Sequence, residues 1–283
     1  MIGAVGPASP RRAGTGRLLA PLMGRPTFVL SAAVLAFWLA AAIAWRWLPI
    51  DPFGRAGPPF ASPSRTEWLG TDRLGRSVFA RLLAGSESVL VIAPLATLLA
   101  TAAGTTIGLV AAWHRGVDEM MMRLIDVVGA LPGILVVVLL SAAFGRSATT
   151  VVWSVAVLFA PLIARTVRAA ALSEVERPYV DAARLRGERA PFILIREVLP
   201  NVAPAVAVEA TVRLGFTVLL VSGLSFLGLG PQPPSPDWGL SVTENRAYLE
   251  VAPWTVLVPA FAIASLVVAV NLLADNLREV FDV

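Results

Sequence analysis

Glu209 and Arg213 stand four residues apart inside a long apolar run, Val202 to Leu227. Charged side chains are costly at membrane depth and mark functional positions by default. Glu four residues before Arg is also the favourable order for a pair on one helical face. Two readings stay open: a mutually neutralised pair facing the interior of a helix bundle, or a pair lining a polar pathway. Asn271 and Asp275 repeat the spacing of four in the last apolar run, where a gate and a packing role are equally open.

The remaining chemical inventory is short. The chain has no Cys, one His (His114) and 23 basic residues, all of them Arg. A P-loop needs a Lys to reach the β- and γ-phosphates, so this chain does not hydrolyse ATP through an ordinary Walker A motif. Schiff-base lysines, thiolate zinc sites and disulfides are excluded with it. No Cys, Lys or His lies at membrane depth to activate a nucleophile, which makes an intramembrane enzyme the weakest class. His114 has no ligand partners and reads as a solvated residue, so no metal or cofactor is expected in the chain. Its net charge of +4 is spread between apolar runs rather than gathered on a basic face with aromatic partners, and nucleic acid is not expected as a partner.

The elements that must position these residues follow from composition. Of 283 residues 57% are hydrophobic and 15% charged, against roughly 25% charged in a soluble domain. Six apolar runs are each long enough to cross about 30 Å of hydrocarbon: Thr27 to Trp45, Ser88 to Trp113, Ile125 to Phe144, Thr150 to Leu172, Val202 to Leu227 and Trp254 to Ala274. The first is too long for the apolar core of a signal peptide and reads as a retained anchor. The expected fold is therefore an all-α membrane protein of six transmembrane helices. The chain divides into a tail (1–25), an anchor helix (26–50), an outer segment (51–87), a core of five spans (88–276) and a short end (277–283). With both ends in the cytoplasm, fourteen Arg fall inside and eight outside, with Arg213 in a span, an arrangement the positive-inside rule favours. Gly104-Thr-Thr-Ile-Gly108 is a G-x-x-x-G that suits a close helix contact.

Two loops exceed what connection requires. In the outer one, Val78, Phe79, Leu82 and Leu83 share a helical face between Gly75 and Glu87, as in a helix lying on the membrane surface. The inner one, 173–200, is polar and Arg-rich. It reads as a short helix in which Ala182 and Ala183 give a close-packing surface, a break or left-handed turn at Gly187, and a second helix stopped near Pro200. Such a hairpin either lies on the membrane or fits a partner's groove.

The inner loop resembles the EAA loop of ATP-binding-cassette importer permeases. Asp181, Ala182, Ala183, Gly187, Leu199 and Pro200 match its pattern, with Asp in place of the usual Glu. The resemblance extends along the chain to the C-type subunits of dipeptide, oligopeptide and nickel permeases. It is carried by Trp68-Leu-Gly-Thr-Asp72-Arg-Leu-Gly75-Arg76, by Arg123, Asp126, Ala130 and Pro132, by Leu224-Ser-Phe-Leu-Gly-Leu-Gly230, by Gln232-Pro-Pro234 with Trp238-Gly239, by Ala252-Pro-Trp254, and by Asn271 to Arg278. Val221 stands where relatives commonly have a Glu.

The resemblance implies a type I importer permease fold with cytoplasmic coupling helices, in a bacterial inner membrane. It implies ATPase coupling through Asp181, Ala182, Ala183, Arg184, Gly187, Leu199 and Pro200. The implied partners are a paralogous B-type permease, two ATPase subunits or domains holding ATP and Mg, and an extracytoplasmic binding protein. Peptide is the expected cargo, with nickel chelates, opines or haem as the alternatives. A self-contained secondary transporter or channel, the competing class, has no use for the 173–200 loop.

Overall fold

The structure, a computed structural model, describes residues 24–281; the expected tail residues 1–23 and the last two residues lie outside it. Its elements are α1 (Pro26–Ala44), α2 (Val78–Trp113), α3 (Arg115–Ala130), α4 (Gly133–Phe144), α5 (Ala148–Val175), α6 (Pro178–Leu185), α7 (Ala190–Ile193), α8 (Leu199–Phe226), α9 (Trp238–Asn245) and α10 (Trp254–Phe281). A π turn, Leu194–Val198, joins α7 to α8. Apart from two isolated bridges, Arg55 with Arg76 and Thr71 with Ser77, the described residues hold no β structure.

Five apolar helices or helix runs are long enough to span a membrane. The sixth span, expected as one run from Ile125 to Phe144, is instead a bent pair: α3 and α4 meet at 89°. The cause is local. Pro132 disfavours helical backbone at the residue before it, and Leu131 is extended at ψ 133. With 12 residues α4 is about 18 Å long and cannot cross alone. Only the link from Phe144 to Ala148 separates it from α5, so α3 and α4 together traverse the bundle.

The core is built around α2 and α5, whose contact is the most extensive in the bundle. A Cβ on Gly104 would lie 2.7 Å from the Ala160 carbonyl oxygen, and one on Gly108 2.7 Å from that of Ala164. The G-x-x-x-G is thus a genuine close approach of two backbones. At its sides α8 packs on both helices, and α10 packs on α8 and α1. The anchor helix, the least buried of the five long spans, is tied to the bundle on one face: buried Trp38 donates its indole N–H to Ser265 Oγ (3.0 Å) and meets the fully buried Trp238 edge-on at 4.7 Å. Many apolar side chains on the outside of the bundle, among them Leu98, Leu139, Trp153, Phe261 and Val268, are exposed, as helices that face lipid or other membrane chains require.

Two further expectations are corrected. There is no separate surface helix before the second span. Val78 to Glu87 are the first turns of α2, with Val78, Arg81 and Leu83 buried, because Gly85 lets the helix pack closely on Trp238 and Asp72 and Glu244 compensate the buried Arg81. Nor does Pro200 stop a helix. The π turn has already widened the chain there, Leu199 donating to Leu194 five residues back. Pro200, whose ring would strike the carbonyl four residues earlier in a regular helix, enters in the first turn of α8.

Candidate functional site

The 173–200 loop folds as a compact hairpin. Arg177 is extended and Pro178 opens α6, a favoured place for a residue without an N–H. Val180 and Ala183 are fully buried against the bundle, while Asp181, Ala182, Arg184 and Leu185 are exposed. The expected packing surface is therefore Ala183 alone; Ala182 faces away from the bundle. Leu185, at 89% exposure, is a large apolar side chain with no cover in this chain.

Gly187 ends the helix. Its φ is +76°, its N–H donates to Arg184 O (2.9 Å), and the N–H of Glu188 reaches Ala183 O (3.2 Å). This pair of bonds is a Schellman cap, with glycine at the position that must be left-handed. Leu199 is partly buried and Pro200 exposed, at the base of α8.

Three interactions that single-residue reading did not isolate fix α6. The Tyr179 hydroxyl donates to Glu174 Oε2 at the end of α5 (2.7 Å) and accepts from Asn201 Nδ2 at the start of α8 (3.1 Å). Burial and the neighbouring carboxylate push the phenol up to about 12, so it remains a donor at neutral pH. The Arg184 guanidinium, besides meeting Asp181 at 3.2 Å, lies over the Trp113 ring at 4.5 Å from its centroid. Trp113 is the last residue of α2.

At membrane depth the expected pair forms: Arg213 Nε donates to Glu209 Oε1 at 2.7 Å, and Glu209 is 9% exposed. The guanidinium lies 5.9 Å from the Phe159 ring on α5. Phe159 also lines an apolar groove of about 570 Å³ between α4, α5 and α8, with Ile134, Phe216 and Leu220. Asn271 does not join this pair. Its amide donates to Val267 O (2.9 Å), and its Oδ1 would lie 2.5 Å from a Cβ on Gly215. Gly215 is two residues from Arg213, about 200° around α8, so Asn271 packs on the other side of that helix. Asp275 is exposed. His114, the cap between α2 and α3, is exposed as expected.

A third constellation went unseen in the sequence. At the end of the bundle opposite α6, Arg76 Nε meets Asp72 Oδ2 (2.6 Å) and Arg76 Nη2 meets Glu244 Oε2 (2.7 Å). Arg81 lies 3.6 Å from Glu244 and 3.9 Å from Asp72. It also donates to Ser235 O at 2.9 Å. All four side chains are at most 7% exposed. The Trp68–Arg76 motif makes a tight turn in which Asp72 Oδ1 accepts from the backbone N–H of Leu74 and of Arg76 (2.8 and 2.9 Å). The Leu224–Gly230 motif is the end of α8: Gly228 is left-handed, and Leu229 N–H reaches Leu224 O (2.9 Å), a second Schellman cap. Among the described residues no group of His, Cys, Asp and Glu is placed to hold a metal ion.

Residues 104–282 match the family described as binding-protein-dependent transport system inner membrane component. The chain belongs to that family. Across its length the permease is 36% identical to the glutathione transport system permease protein GsiD of Pectobacterium atrosepticum, over 256 residues that cover 90% of this chain and 84% of the relative. The proteins of the same name from Escherichia coli O157:H7 and Shigella sonnei are 36% identical over 251 residues, 88% of this chain and 81% of theirs. These findings make it a multi-pass inner-membrane permease of the ATP-binding-cassette importers. The matched span contains α6, the Glu209–Arg213 pair and Glu244, whereas Asp72, Arg76 and Arg81 precede it.

Proposed function

We propose that this chain is the C-type permease half of an ATP-driven importer of short peptides, forming one side of the pathway beside a paralogous B-type permease. The relatives' cargo, glutathione, is itself a tripeptide, and the likeness to them runs over nearly the whole chain. Two ATPase subunits or domains bind ATP and Mg, and an extracytoplasmic binding protein delivers the peptide; the permease contributes no catalytic group and no cofactor. Its part is alternating access. ATP binding stabilises one state over the other, and Asp181, Ala182, Arg184 and Gly187, with Leu199 and Pro200 at the base, receive that change as the coupling hairpin. The observation that carries this reading is the built hairpin itself. Its capped helix holds Leu185 out of the bundle, as an interface anchor needs.

Helix directions support cytoplasmic termini. The start of α1 lies beside the end of α10, where Arg25 pairs with Glu279 and Thr27 meets Asn276 (3.4 Å). Both helix ends are on the side of the bundle that carries α6.

Reconstitution with and without the ATPase and binding-protein subunits tests the reading. ATP-dependent uptake of a labelled di- or tripeptide that requires all of them is expected. Uptake by this chain alone refutes it, and uptake of a nickel chelate or haem in place of peptide refutes the cargo.

We read the Glu209–Arg213 pair as part of the pathway, a reading supported by Arg213 standing over Phe159 at the edge of the apolar groove. Glu209→Gln is therefore expected to lower peptide uptake several-fold, the scale of one charge-assisted hydrogen bond, in a complex of unchanged melting temperature. A lower melting temperature with normal uptake would make the pair a packing element.

A further inference from the structure

The 36 residues of α2 make a rod of about 54 Å with both ends held. Arg81, in its first turn, sits in the ion cluster with Asp72 and Glu244. Trp113, its last residue, is stacked under Arg184 of α6. On its other flank α6 is held by the Tyr179 hydroxyl, which joins Glu174 of α5 to Asn201 of α8. Four residues of this eight-residue helix, Tyr179, Val180, Ala183 and Arg184, thus reach the bundle, and together they touch three spans. The remaining side chains of the helix, Pro178, Asp181, Ala182 and Leu185, are exposed, so its side-chain contact with those spans runs through the other four.

We propose that Tyr179 and Trp113 are positioning residues of the coupling step. They clamp α6 between α5 and α8 on one side and α2 on the other, so that a displacement of α6 moves all three spans as one body and reaches the far loop through α2. Arg184 then acts mainly within the permease, on Trp113, leaving Asp181 and Leu185 as the outward contacts. The phenol, held up to about 12, keeps the Tyr179 half of the clamp insensitive to pH over the physiological range. This assignment rests on the coupling reading of the hairpin.

The test uses the full complex in proteoliposomes, with peptide uptake and ATP turnover measured per assembled complex. Tyr179→Phe removes one hydroxyl and both of its hydrogen bonds; Trp113→Leu removes the stacking face. Each is expected to lower uptake about tenfold, the scale of losing a charged hydrogen bond. ATP turnover is expected to continue but no longer respond to the loaded binding protein. Trp113→Phe, which restores an aromatic face, is expected to recover most of the uptake. Normal uptake with normal stimulation in Tyr179→Phe and Trp113→Leu overturns the clamp. So does a lower melting temperature with uptake per complex unchanged, which would reduce both residues to structural supports. A Gly187→Val variant run in parallel separates the two levels: if it loses uptake while the clamp variants do not, only the clamp fails; if none loses uptake, the coupling reading fails with it.

Discussion

Gly187→Val should leave the permease inserted and assembled but lower peptide uptake by about tenfold or more. At φ +76° a β-branched residue is strained whatever the room around it, and here the room is ample: a Cβ on Gly187 would meet no other group within 4 Å. The penalty is therefore purely conformational, about 1–2 kcal/mol or more, and the Schellman cap is the structure that gives way. Losing it frees the C-terminal turn of α6, so the helix that carries Asp181 and Leu185 frays where it has to be rigid. Because Gly187 itself is exposed and a side chain there meets no other group, the cost falls on coupling and not on folding. Gly187→Asn supplies the control. Asn tolerates the left-handed region better than any β-branched residue, and its uptake should remain close to that of the parent. Equal uptake by the Val and parent proteins, with ATP turnover still stimulated by loaded binding protein, would remove Gly187 from the coupling machinery.

What the sequence discloses about this protein tracks the range of the interactions involved. Spans, the close approach at Gly104 and Gly108, the Glu209–Arg213 pair and the left-handed stop at Gly187 were all legible, since each depends on residues a few positions apart or on the size of one side chain. The break at Leu131 lay in plain sight as a residue before proline. It was hidden by the apolar continuity of the run, whose total length satisfies the criterion for a span although neither side of the bend does. Pro200 misled in the opposite direction: proline signals a helix end, but a π turn formed by residues before it lets the helix continue, and no local pattern marks that turn. The function of Tyr179 and the pairing of Arg184 with Trp113 depend on residues up to 71 positions apart in the chain, which one sequence cannot bring together. The surface helix expected from Gly75 to Glu87 failed for the same reason. Its apolar face is expected against the membrane surface, but Val78 and Leu83 are buried within the molecule together with Arg81, whose acid, Glu244, belongs to another segment entirely.

That buried cluster makes the second strong prediction. Glu244→Gln should cost about 3–5 kcal/mol, as removal of one partner from a buried ion pair generally does. The loss arises less from forfeited attraction than from what remains: Arg76 and Arg81, both nearly inaccessible to solvent, would share Asp72 as their closest acid. Burying an uncompensated guanidinium in this way is far more expensive than exposing one. A second substitution should therefore repair much of the damage. In Glu244→Gln with Arg81→Gln, the 2.6 Å contact of Arg76 with Asp72 is left as one balanced pair, and more than half of the lost stability should return although another charged group has been removed. Thermal unfolding of the purified permease in detergent, across the two single variants and the double, measures this directly. Additive losses would mean that the four groups do not act as a network. A non-additive return would show that the turn at Asp72, the start of α2 and α9 are held by charge balance across three segments, which apolar packing alone would not reproduce.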